Sequence, residues 1–184
     1  HGQRRADDRQ GLAIAQRFGI PELVGRLLAA RDVTVDSAAS FLNPTLRELL
    51  PDPSGFRDMD RAVERLLQAI TRQEKIAVFG DYDVDGATSA ALLHRFFAAV
   101  GIAVRLYIPD RLTEGYGPNA PALLRLREEG IAVAITVDCG ITAFAALAAA
   151  AAAGLAVIVL DHHVAEPQLP AAAAVVNPNR LDET

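Results

Sequence analysis

One stretch, Ile76 to Val100, reading IAVFGDYDVDGATSAALLHRFFAAV, limits what this chain can fold into more than any other. It opens with Ile76-Ala77-Val78-Phe79, an apolar run with the composition of a strand buried on both faces. Gly80 follows, then aspartates at alternate positions, Asp81, Asp83 and Asp85, closed by Gly86. From Ala87 to Val100 apolar residues return at helical spacing (Ala91, Leu92, Phe96, Ala99), which predicts a helix. The carboxylates are therefore expected in the turn between a buried strand and the next helix. Crowded carboxylates repel, and burying them unpaired is worse. A helix N-terminus offsets only about 0.3–1 kcal/mol per charge. A bound divalent cation would relieve the rest, and hard carboxylate oxygens suit Mg²⁺, Mn²⁺ or Ca²⁺. The alternative is an acidic helix cap on the surface. An EF-hand is excluded, because the position of its bidentate Glu is Leu92 and the preceding element reads as a strand. A P-loop is excluded because no Gly-Lys-Ser/Thr follows the glycines.

The rest of the chain supplies partners for that strand. A helix is predicted from Met59 to Ile70, capped by Asp58 or Asp60, and a strand from Ala103 to Ile108. Pro109 to Pro118 reads as a loop. Asn119 then caps a helix to Glu129, which Gly130 ends. Ile131–Val137 is a strand, Ile141–Ala153 a helix stopped by Gly154, Ala156–Leu160 a strand and Ala172–Val176 a last short strand. Repeated β-α-β predicts an α/β fold: a doubly wound, mostly parallel sheet with helices on both faces. Residues 1–57 precede it as a helical, Pro-punctuated lead-in. Its helices are expected from Gln10 to Phe18, after Pro21, and from an Asp36 cap to Leu42. No chemistry is visible in this segment, which reads as a packing or partner-binding appendage.

A hydrophobic content of 51% supplies a core and excludes disorder. No apolar run reaches the roughly 20 residues of a membrane helix, and the opening HGQRRADDRQ lacks a signal-peptide pattern. The single cysteine, Cys139, excludes an internal disulfide and fits the cytoplasm.

Ligands of open parallel sheets bind outside the carboxyl ends of the strands. Three predicted strands end in candidates: Asp81, Asp83 and Asp85; Asp138-Cys139-Gly140; and Asp161-His162-His163. Taken singly, Asp138 can be a helix cap, the histidines surface residues and Cys139 a small buried residue. Together, carboxylates and imidazoles at neighbouring strand ends converge in one cleft. Oxygen plus imidazole suits Mn²⁺, and several carboxylates suggest two ions about 3.5–4 Å apart around a phosphoryl displacement. A net charge of −5 is unusual for a nucleic-acid binder, but ligands neutralised by cations do not count against binding a phosphodiester.

GDYDVDG, VDCG and LDHH, in this order, resemble the first three motifs of the DHH phosphoesterase superfamily. FLNPTLRELLPDPSGFRDMDRAVERLLQAI before the first motif, and RLTEGYGPN between the first and second, narrow the resemblance. They are similar to its bacterial single-strand-specific 5′→3′ DNA exonuclease branch. The resemblance spans roughly residues 35–180, and makes residues 58–184 a DHH phosphoesterase domain. It implies metal-binding roles for Asp81, Asp83, Asp85, Asp138 and His162. It implies that His163 contacts the scissile phosphate or orients the site, acting with Asp138 in catalysis. Arg111, Glu114, Gly115, Tyr116, Gly117 and Asn119 match a loop lining the substrate cleft, and Asn177-Pro178 a strand end near it. Some superfamily members carry a His before the first aspartates, where Phe79-Gly80 stand here. The fourth motif and the second domain are expected beyond Thr184, which would make this chain an N-terminal portion, inactive alone.

The activity so implied is hydrolysis of single-stranded DNA by metal-activated water, with Mn²⁺ or Mg²⁺ as cofactor, in DNA repair and recombination. The implied protein is a cytoplasmic monomer that touches no membrane, with single-strand-binding protein and a helicase as partners. Two other readings compete: a small-nucleotide phosphatase or cyclic-dinucleotide phosphodiesterase of the same superfamily, and a non-catalytic partner-binding subunit. The lead-in argues against the first, and the intact ligand positions against the second.

Overall fold

A computed structural model of the chain describes residues 8–183; the first seven residues of the opening stretch lie outside it. Two compact units part between Pro51 and Asp52. The first is helical: α1 (Asp8–Phe18), α2 (Glu22–Ala29), α3 (Ala38–Leu42) and a single turn, α4 (Leu46–Leu49). Ile14, Leu28, Ala29, Val33 and Ala38 form its small core. Gly11 and Gly25 allow α1 and α2 to touch, since a Cβ on Gly25 would sit 2.2 Å from the Gly11 carbonyl oxygen. The cap predicted at Asp36 falls at Ser37, whose hydroxyl and amide bond Thr34 reciprocally.

The second unit alternates strictly after a 3₁₀ turn at Pro53–Gly55. Its elements are α5 (Met59–Thr71), β1 (Lys75–Gly80), α6 (Val84–Ala99), β2 (Val104–Tyr107), α7 (Ala120–Glu128), β3 (Ile131–Val137), α8 (Phe144–Ala152), β4 (Ala156–Leu160) and β5 (Ala174–Val176). The sheet has five strands, all parallel, in the order β2-β1-β3-β4-β5. The expected doubly wound α/β sheet is present. Each β-α-β crossover buries one face of a strand under a helix, so the central strands are apolar on both faces. On one face Ala62 and Ala69 of α5 and Ala90 and Phe97 of α6 pack on Ile76, Val78, Val133, Ile135 and Ile158. On the other, Leu123 and Leu126 of α7 and Leu147 and Ala150 of α8 pack on Phe79, Ala134, Val157 and Val159. The sheet order reverses direction at β1, between β1 and β3, and such a switch point opens a crevice at the strands' carboxyl ends.

Asp58 stands at the first cap position of α5 but does not cap it. Its φ is 59°, and its carboxylate accepts instead from the Val175 amide (3.1 Å) and the buried Arg180 guanidinium (3.1 Å). This tie holds the start of α5 against β5, the short edge strand beside which the histidine pair lies.

Candidate metal centre

The site is built by three turns, each doing something different with its acid. After β1, α6 starts at Val84, three residues before the Ala87 expected from its apolar spacing. The cause is Asp83, whose carboxylate accepts from the Gly86 amide at 2.9 Å as a helix N-cap. That bond, the largest influence on it, holds the Asp83 carboxyl below its ordinary pKa. Asp85 thus lies in the first helical turn rather than in the connecting loop. Gly86 lets that turn sit on the strand end: a Cβ there would lie 2.4 Å from the Asp81 carbonyl oxygen. Asp81 is 1% exposed, and its Oδ1 is buried without a hydrogen-bond partner.

After β3, Asp138 adopts a left-handed backbone, φ 60°, a conformation in which a non-glycine residue stores about 1–2 kcal/mol of strain. It is 6% exposed, and its Oδ2 also lacks a partner. Burial, then the nearby Asp83 carboxylate, raise its pKa above its ordinary value, while His162 pulls it the other way. Cys139 next to it is buried, and burial pushes its thiol strongly up, so it has no thiolate character near neutrality.

After β4, Asp161 is 7% exposed and fully engaged. Its Oδ2 accepts from the Ile141 amide at 2.9 Å; its Oδ1 accepts from the amides of His162 (2.7 Å) and His163 (3.1 Å) and bonds His163 Nδ1 at 2.7 Å. Burial would raise its pKa, yet these donors outweigh burial and hold it low. The bond to Ile141 explains why α8 begins at Phe144 rather than at Ile141. Asp161 is therefore the organiser of the turn, and its two histidines carry the exposed imidazoles. The Asp161 bond raises the His163 pKa.

Two triads result, and Asp138 belongs to both. Asp81, Asp83 and Asp138 each offer one ligand atom, all within 4.8 Å of one another, and so do Asp138, His162 and His163. His162 Nε2 lies 3.0 Å from Asp138 Oδ1. Asp85 is in neither triad; it lines an open cleft of about 480 Å³ with Asp138, His162, Thr88 and Ser89. The donor set fits a divalent cation, because two buried carboxylate oxygens have no protein partner and imidazole nitrogens lie within reach of the same Asp138 carboxylate.

The loop after β2 closes one side. Tyr116 Oη lies 3.5 Å from both His163 Nε2 and the Asp138 carbonyl oxygen; burial, then the Asp81 charge, push its pKa to about 12, so it stays a neutral phenol. Arg111 sits over the Tyr82 ring, 5.0 Å from its centroid, and Tyr82 meets Tyr116 edge-on. Glu114 faces its own loop: it accepts from Tyr107 Oη and the Asp110 amide and pairs with Arg125. Gly115 and Gly117 supply the positive φ values of 80° and 70° that turn this loop. Asn119 caps α7 through the Ala122 amide at 2.9 Å.

The model of the DHH family, N-terminal domain, matches residues 75–184, which include all three acidic turns. The chain belongs to the DHH family. Among curated DHH-family relatives, it is 39% identical over 177 residues to the single-stranded-DNA-specific exonuclease RecJ of Bacillus subtilis, 96% of this chain and 22% of that protein. It is 34% identical over 172 residues to RecJ of Haemophilus influenzae, 93% of this chain and 29% of that one. The chain thus spans less than a third of the length of either relative. Solved structures resemble it as well. One, of exonuclease RecJ bound to manganese, has a TM-score of 0.64 and 37% identity, covering 70% of this chain and 33% of that one. Another, of RecJ from Thermus thermophilus in complex with Mn²⁺, has a TM-score of 0.67 and 30% identity, covering 96% and 24%.

Two contributors to the DHH turn escaped sequence reasoning. Asn177 sits at a strand end that motif resemblance singled out without a task, and Asn179 was not singled out at all. Both bond the backbone of the histidine pair. The signal for Asn177 was a polar residue directly after the apolar run Ala172–Val176; Asn179 left none.

Proposed function

We propose that this chain carries the metal-binding half of a 5′→3′ exonuclease that hydrolyses phosphodiester bonds of single-stranded DNA with Mn²⁺ or Mg²⁺. The observation that carries this reading is the pair of buried, unpartnered carboxylate oxygens, Asp81 Oδ1 and Asp138 Oδ2, in two triads that share Asp138. Asp81, Asp83 and Asp138 would hold one ion, and Asp138 and His162, with Asp85 from the cleft wall, a second. The ions would supply Lewis acidity at the phosphoryl and leaving oxygens.

The chain's own groups do the rest. Asp161 fixes His163 through Nδ1–H and favours the imidazolium, whose Nε2–H would donate to a phosphate oxygen. Tyr116, a neutral phenol, offers a second hydrogen bond beside it. Arg111, held over Tyr82, binds a flanking phosphate. The names of the curated relatives and the manganese in the two similar structures support this substrate and this ion. Action in repair and recombination beside single-strand-binding protein and a helicase, in the cytoplasm, belongs to the same proposal; no helix among the described residues is long and apolar enough to cross a membrane.

The test is release of nucleotides from 5′-labelled single-stranded DNA by a protein carrying this chain at the full length of its relatives. Turnover should require Mn²⁺ or Mg²⁺, exceed that on duplex DNA or cyclic dinucleotides, and fall at least about 100-fold in His163→Gln. Hydrolysis of cyclic dinucleotides in preference to DNA, or turnover untouched by His163→Gln, would overturn it.

A further inference from the structure

The Asp161-His162-His163 turn is held on both sides of its backbone, and only one side was visible in the motif. Its amide side is taken by Asp161, which accepts from the N–H groups of His162 and His163. Its carbonyl side is taken by two asparagines on the segment after β5. Asn177 Nδ2 donates to the His163 carbonyl oxygen at 2.9 Å, and Asn179 Nδ2 donates to that of His162. The asparagines are joined to each other, since Asn177 Oδ1 accepts from the Asn179 amide at 2.7 Å. Asn177 is fully buried, 0% exposed, so its amide has no water to fall back on. The Asp161 amide donates to the Val176 carbonyl oxygen at 3.1 Å, which locks the turn to the same strand one residue earlier.

We infer that Asn177 and Asn179 are positioning residues for the two imidazoles. The peptide between His162 and His163 is held on both sides, its N–H by Asp161 and its C=O by Asn179, and each flanking peptide on one side, by Asp161 at the His162 N–H and by Asn177 at the His163 C=O, so none can rotate without breaking a bond. That fixes where His162 Nε2 and His163 Nε2 stand relative to Asp138. The role rests on the metal-centre reading above, and it acts through the histidines: neither asparagine touches a group proposed to bind metal or phosphate. Groups that orient ligands from outside the coordination shell change metal affinity by about 10- to 100-fold when removed. A purely structural asparagine would change stability alone.

Two variants separate these roles. Asn179→Ala deletes an exposed side chain and one bond to the His162 carbonyl. Asn177→Asp keeps the acceptor for the Asn179 amide but places a carboxylate oxygen against the His163 carbonyl. Leu147→Ala on α8, a buried apolar truncation with no bond to the histidine turn, serves as a control for stability loss. The first readout is metal-free: ¹⁵N resonances of the histidine rings and hydrogen exchange at the His162 and His163 amides. Both asparagine variants should shift the ring signals and speed exchange at those amides, and Leu147→Ala should leave the rings unmoved. Unchanged ring signals and exchange in Asn177→Asp and Asn179→Ala would overturn the inference, whatever the metal does.

The second readout is the affinity for Mn²⁺ alone, by calorimetry well below the melting temperature. A loss of about 10- to 100-fold is expected in the asparagine variants, with none in Leu147→Ala. An equal loss in the Leu147→Ala control would show a global effect and would also overturn it. Failure of the wild-type chain to bind Mn²⁺ would instead count against the metal reading, and the metal-free readout would still decide the role of the asparagines.

Discussion

At the scale of single residues, the molecule treats its aspartates in opposite ways according to what surrounds them. Asp161 receives four donors and Asp58 three, whereas Asp81 and Asp138 keep a buried oxygen with none. The first kind is structural and the second is available to a ligand. This distinction was not legible in the sequence, because DYDVD, VDCG and LDHH look equally acidic; it depends on which amides and guanidiniums fold back onto each acid. Asp58 shows the consequence for stability. Burial would raise its pKa, but the Val175 amide and the Arg61 and Arg180 guanidiniums outweigh it and hold it below the ordinary 3.8. A depressed folded pKa means that its contribution is complete above the unfolded value and is lost as pH falls through the lower folded one. Asp58→Ala should therefore cost about 1–2 kcal/mol near neutral pH, by leaving the Val175 amide without its acceptor and removing one partner of buried Arg180, which keeps Asp182. In urea titrations the difference between variant and wild type should shrink below about pH 4. A difference that is constant from pH 7 to pH 3 would contradict the assignment.

Among the elements, the period of the apolar residues located every strand of the sheet, because β-α-β alternation writes apolar runs and helical spacing in turn. Helix starts were less legible. α6 begins at its capping aspartate and not at its first apolar face, and α8 begins only after the Ile141 amide has bonded Asp161. α4 and the 3₁₀ turn lie among prolines that read as breaks, since one-turn helices are held by local caps at Thr45 and Asp52 rather than by periodicity. The seat of α6 turns on Gly86. Alanine would ordinarily favour a helix over glycine by about 0.5–1 kcal/mol, but here its Cβ would meet the Asp81 backbone. Gly86→Ala should destabilise by about 3 kcal/mol and push α6 off the end of β1. Chemical denaturation measures the first effect. Loss of Mn²⁺-induced stabilisation in the same variant measures the second, because Asp83 moves with the helix. A neutral Gly86→Ala would show that the turn can relax.

For the whole molecule, the site exists only because the strand order brings β1, β3 and β4 side by side, so that residues 81, 138 and 162 meet although 57 and 24 positions separate them. Parallel alternation made that convergence readable in advance; the sharing of Asp138 between two triads was not, since it depends on which side-chain atoms the three turns bring within reach of that carboxylate. Leaving one buried oxygen each of Asp81 and Asp138 without a partner destabilises the metal-free fold, and a bound cation would offset this by mass action, about 2.7 kcal/mol at 100 times the dissociation constant. The most direct test of a divalent-cation centre is a calorimetric Mn²⁺ titration of the wild-type chain beside Asp138→Asn, with melting curves in the presence and absence of the ion. The account predicts Mn²⁺ binding and a raised melting temperature in the wild type, with both lost in Asp138→Asn. That variant should also melt higher than metal-free wild type, because it no longer buries a charge beside Asp83. Equal Mn²⁺ affinity in the two proteins would contradict it.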